Sequence, residues 1–173
     1  MKKIIAASAF MLLSWPAIAQ SVGERTGVNT AIGIAPKTPD FVKEVATSDM
    51  FEIESSKLAS SRTSGEVKAF AGKMVTDHTQ TSEELKAKAQ AANVPVPTAM
   101  DDKQQKMLDK LRGLNGKDFA RQYVKDQVSG HKDAVSLFQR YSSGGDNAGL
   151  KEWATTTLPT LQTHLQMAQD LNK

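Results

Sequence analysis

The chain contains three histidines and no cysteine, so any chemistry beyond packing falls to imidazole and carboxylate groups. His78, His131 and His164 lie far apart, each in a stretch whose apolar residues recur at three- and four-residue steps. On an α-helix such residues share one face. His131 falls in line with Val124, Val128, Val135 and Phe138, His78 with Ala71, Met74 and Leu85, and His164 with Leu161, Ala168 and Leu171. That apolar face is the one a folded chain buries, so all three imidazoles are expected to point inward from three separate helices. Glu52 is a fourth candidate, sharing its face with Val45 and Ala59, with Asp49 one turn earlier. A carboxylate removed from water must find a partner or take up a proton. Three imidazoles and one carboxylate form a chemically sensible ligand set for a single Fe, Zn, Mn or Cu ion. Asp77, Glu84 and Asp126 are further carboxylates in supporting or alternative positions. Two plainer readings stay open: the histidines as hydrogen-bonded core residues, and Asp49, Glu52 and Ser56 as a solvated edge of the first helix.

The elements that would position these groups are all helical. Amphipathic periodicity and the Gly, Pro and Asn breaks predict long helices over 40–62, 66–92, 118–141 and 147–171. A shorter helix over 101–114 lies in the connection between the second and third long ones. Pro159 falls inside the last helix, where it is expected to kink or split it. Nothing reads as a strand. Four long helices with one apolar stripe each are the ingredients of a four-helix bundle, placed here at 40–173. Before it, 20–39 is rich in Gly, Thr and Pro and reads as a flexible leader.

Residues 1–19 carry an export pattern. Lys2 and Lys3 form a positive start, Ile4 to Trp15 is apolar, and Ala17-Ile18-Ala19 is the small-x-small motif of a cleavage site. The apolar run is shorter than the ~20 residues a membrane-spanning helix requires, so a cleaved signal peptide and a periplasmic product are expected, with no membrane span. Loss of Lys2 and Lys3 lowers the formal net charge from +3 to +1. A nearly neutral chain with interspersed signs offers no clustered basic face for nucleic acid. Without cysteine, no disulfide can staple the fold, which must rest on its own core. No phosphate-binding loop, nucleophile elbow or activated Ser or Thr is recognisable, so catalysis is not indicated. The methionines are scattered and read as core filler.

The segments FVKEVATSDMFEIESSKLA, VKAFAGKMVTDHTQTSEELKAKA, LRGLNGKDFARQYVKDQVSGHKDAVSLF and LKEWATTTLPTLQTHLQMAQDL resemble, in order and spacing, the domain of unknown function 4142, a family of exported bacterial helical proteins. The resemblance covers about 41–171; the Asp77-His78 pair, the surroundings of His131 and Leu158-Pro159-x-x-x-x-His164 are its most specific marks. It implies a ferritin-like four-helix bundle and either a periplasmic or an outer-membrane-associated location. A ferritin-type di-iron centre needs Glu-x-x-His on two helices. Here Val75, Val128 and Leu161 stand three residues before the histidines, and only Glu52 matches a helix-one carboxylate. Members commonly carry an Asp after the Phe of the third long helix, where this chain has Ala120 after Phe119. The resemblance brings little function with it; the residues themselves give the expected one, single-metal binding through Glu52, His78, His131 and His164 in a stress or metal-handling role. The alternative is a non-enzymatic envelope or protein-interaction module with structural histidines.

Overall fold

The computed structural model describes residues 33–173, which form five helices and no strand. The expected signal peptide at 1–19 and positions 20–32 of the expected leader lie outside the described residues. The helices are α1 (Thr38–Arg62), α2 (Gly65–Ala91), the short α3 (Asp102–Gly113), α4 (Gly116–Gly144) and α5 (Ala148–Leu171). None of them is long and apolar enough to cross a membrane.

Local chemistry sets the ends of these elements. α1 starts two residues earlier than periodicity suggested, because Pro39 suits a first helical turn and Thr38 is held from outside the helix. Its backbone N–H donates to Asp146 Oδ1 at 3.0 Å, its hydroxyl bonds the same oxygen, and Tyr141 Oη lies 2.6 Å from Thr38 Oγ1. α2 ends in a Schellman motif. Asn93 adopts φ 55°, its N–H donates to Gln90 O at 3.1 Å, and Val94 N–H reaches Ala89 O at 2.9 Å. Asp101 and Asn147 cap α3 and α5 by accepting from the N–H groups of Gln104 and Leu150. Gly65 and Gly116 open α2 and α4 with φ of 59° and 53°, a conformation that would strain most other residues.

Pro159 does not split α5, which runs unbroken through it. The residue is exposed and so is Thr155, whose carbonyl loses its usual donor; water can satisfy that oxygen, and the helix continues.

Short links fold α2 back on α1 and α5 back on α4. The two hairpins meet through α1 against α4 and α2 against α5, while α3 packs on α1 and α4. The core falls into two apolar clusters. One gathers Phe41, Val42, Val45, Leu85, Leu137, Phe138, Tyr141, Leu150 and Trp153; the other gathers Phe51, Phe70, Met74, Leu108, Leu111, Phe119, Tyr123 and Val124. Phe41 stacks on Tyr141 with ring centroids 3.8 Å apart. Burying each such side chain contributes roughly 1.5–3 kcal/mol.

Candidate metal centre

The boundary between the two clusters falls at one level of the fold. On α1, residues of the first cluster end at Met50 and those of the second begin at Phe51. On α2, His78 lies between Met74 and Leu85; on α4, His131 lies between Val124 and Leu137; on α5, His164 lies between Leu161 and Ala168. The three imidazoles and Glu52 are at most 4% exposed. This polar layer is where antiparallel neighbours bring residues from four helices together.

The three rings face one another. Their centroids are 5.4–5.6 Å apart pairwise, and one ring nitrogen of each lies within 4.8 Å of those of the other two. Each ring is held from its outer side. His78 Nδ1 bonds Asp49 Oδ1 at 2.8 Å, His131 Nδ1 donates to the Gln127 carbonyl at 2.9 Å, and His164 Nε2 bonds Asp77 Oδ2 at 2.7 Å. Since these partners accept hydrogen bonds, they set the tautomers: the proton sits outward and a lone pair is left on His78 Nε2, His131 Nε2 and His164 Nδ1. His164 Nδ1 is buried with no partner. His78 Nε2 and His131 Nε2 stand 3.4 Å apart, close to the ~3.3 Å separating two nitrogens on one tetrahedral ion with bonds of about 2.0–2.1 Å. An ion between the rings would draw the wider pairs together. Outer carboxylates and carbonyls of this kind orient metal-binding histidines and raise their basicity.

Electrostatics keeps two of the rings neutral. Burial, and then the neighbouring His78, push His131 down to about 3. Burial also lowers His164 to about 4, against the pull of Asp77. For His78 burial opposes the charge as well, but the hydrogen bond and charge of Asp49 win and raise its pKa above the ordinary histidine value. Of the three rings, His78 is the one whose charged form its surroundings favour.

Glu52 is buried beside the rings but outside the group of three. Its Oε1 lies 2.9 Å from where a Cβ on Gly130 would stand, and its Oε2 has no hydrogen-bond partner. Burial raises its pKa to about 7, although His78 and the Gln127 amide pull it down. Asp49, Glu52 and Ser56 are all buried, which removes the solvated-edge reading. α3 and α4 cover this face of α1, and Ser56 Oγ lies 2.9 Å from the hydroxyl of Tyr123.

The other carboxylates separate cleanly. Asp77 supports His164, and hydrogen bonds from Lys73 and His164 outweigh burial to hold its pKa low. Glu84 accepts Trp153 Nε1 at 2.8 Å and Gln80 Nε2 at 2.8 Å, with no part in the cluster. Asp126 Oδ1 accepts from Gln122, while its Oδ2 is buried and unpartnered. Two contributors carried little signal in the sequence. The Gln127 carbonyl is a backbone group that any residue would supply, and Gly130 is a helical glycine whose reason lies across the helix interface.

A family model described as "Domain of unknown function (DUF4142)" matches residues 23–171. No match was found among the curated proteins or the solved structures.

Proposed function

The chain belongs to the family of the domain of unknown function DUF4142, a description that carries no activity, and from the geometry of the histidine cluster we propose that it binds one transition-metal ion between His78, His131 and His164. The observation that carries this reading is the convergence of three ring nitrogens whose outer partners are already in place. A purely structural cluster has no need to leave a buried His164 nitrogen without a hydrogen bond. Glu52, buried with an unpartnered oxygen, is the carboxylate proposed to complete the set. A nitrogen-dominated site of neutral imidazoles suits Zn or Cu, and Fe next, better than oxygen-seeking Mn. When bound, the ion would supply a Lewis-acidic centre; the chain itself supplies orientation and burial.

The wider reading is an exported, ferritin-like four-helix bundle that handles metal in the periplasm. The arrangement of four long helices supports the bundle, and the motif in residues 1–19 supports export. An N-terminus at Gln20 in protein recovered from the periplasm tests the latter. For the metal, the test is the content of untagged, dialysed protein. One equivalent in wild type and loss of it in a His131→Ala/His164→Ala double variant is the expected result; equal content in both removes the proposal.

One observation favours a second reading. The 3.4 Å contact between His78 and His131 also describes a single proton shared by two rings in a structural network. In that case no metal raises the melting temperature, whereas a ligand bound only to the folded state must raise it.

A further inference from the structure

A cavity of about 470 Å³ lies against α1, α3 and α4, and His78, Asp49 and Glu52 form part of its wall. It touches the candidate metal centre from the Asp49 side. Six carboxylates line it, those of Glu44, Asp49, Glu52, Asp101, Asp126 and Asp133, against only two ammonium groups, Lys103 and Lys125. An excess of acids alone is common on protein surfaces. Here two of them are buried, with an oxygen that has no partner: Glu52 Oε2, on a residue 2% exposed, and Asp126 Oδ2, on one 8% exposed. Buried carboxylate oxygens are normally satisfied; both residues belong to the cavity wall, and a cation or its hydration water drawn in beside them would supply the missing partner. Gly130 is also on the wall, and its missing side chain leaves the space that Glu52 Oε1 occupies.

The side of the centre at Asp77 is occupied by an ion pair. There Asp77 holds His164, and Lys73 Nζ lies 2.7 Å from Asp77 Oδ2. That ion pair sums to no net charge, so this side lacks the acidic excess of the cavity. The three rings are almost fully buried, so an ion must travel between solvent and the centre, and the cavity is an acidic approach to it.

We propose that this cavity is a staging site for a hydrated divalent cation, which Glu52 and Asp126 receive and pass towards the three histidines. The proposal rests on the metal-binding reading above. Clefts lined by one sign of charge concentrate counter-ions and raise association rates, with a strong dependence on ionic strength.

The experiment is stopped-flow uptake of Co²⁺ by full-length protein, followed by the visible absorption of cobalt in a nitrogen site. Asp126→Asn/Asp133→Asn should slow uptake roughly three- to tenfold at low salt and flatten its salt dependence, with unchanged final stoichiometry. Lys125→Glu, on an exposed residue, should speed uptake and poses little risk to folding. Asp118→Asn, on the exposed first turn of α4, serves as the reference and should leave the rate unaltered. Unchanged rates in both the Asp126/Asp133 and Lys125 variants, with cobalt still bound at equilibrium, would overturn the staging site alone. Absence of cobalt binding by wild type at equilibrium would overturn the three-histidine reading, and this proposal with it.

Discussion

Gly130 stands in the interior of α4, where glycine costs about 1 kcal/mol relative to alanine. Gly72 stands in the interior of α2, and nothing lies within 4 Å of where its Cβ would be. Gly72→Ala should therefore stabilise the fold by roughly 0.5–1 kcal/mol through helix propensity. Gly130→Ala gains the same propensity term but places a methyl group 2.9 Å from Glu52 Oε1. An ordinary carbon–oxygen contact is about half an ångström longer, and Glu52 is 2% exposed. The carboxylate must leave its rotamer, at a cost of about 0.5–1.5 kcal/mol, and surrender part of its packing. The two substitutions should thus differ by roughly 1–2 kcal/mol, a gap of about 2–8 °C in melting temperature. Thermal unfolding of the metal-free proteins, side by side at one pH, measures it. If Gly130→Ala raises the melting temperature as much as Gly72→Ala does, Glu52 is not seated against α4, and its placement beside the rings is wrong.

The pH response of the metal-free protein follows from the shifted groups. His131 at about 3 and His164 at about 4 bind fewer protons folded than unfolded, so their contribution is complete above the unfolded value near 6.5 and is lost as pH falls through the folded values. Glu52, raised to about 7, works the other way, its folded state holding a proton that the unfolded chain releases above about 4.5. The two strongly lowered rings outweigh Glu52 and the likewise raised Asp126, so urea titrations should show stability falling between about pH 6.5 and 4.5; a flat profile would mean that the rings are not buried neutral. Asp77→Asn removes the carboxylate that orients His164 and should weaken metal affinity about 10–100-fold, read by competition with a chromophoric chelator; an unchanged Kd would assign Asp77 to the surface ion pair with Lys73 alone. Tyr141→Phe keeps the stack on Phe41 but loses the hydroxyl contact to Thr38, which should cost about 1 kcal/mol in denaturant unfolding.

Periodicity placed His78, His131 and His164 on buried faces because a helix carries its core side visibly in the spacing of Val, Leu, Met and Phe. It also placed Glu52 on the α1 stripe. Face, however, is only one coordinate. That the four residues share a level depends on how the hairpins are seated. The outer partners were partly legible: Asp77 adjoins His78 in the chain yet serves His164 on another helix, and Asp49 serves His78 across the α1–α2 interface. Such pairings need the packing itself. The unbroken α5 shows the same limit in another form, since what Pro159 does to a helix depends on whether its freed carbonyl meets water or core.

The most direct measurement on the metal centre is X-ray absorption at the metal edge of protein loaded with one equivalent of zinc. A shell of about three imidazole nitrogens at roughly 2.0–2.1 Å is expected, with the imidazole scattering signature lost in the His131→Ala/His164→Ala variant. A shell of oxygen alone, or the same spectrum in that variant, would contradict the three-histidine centre.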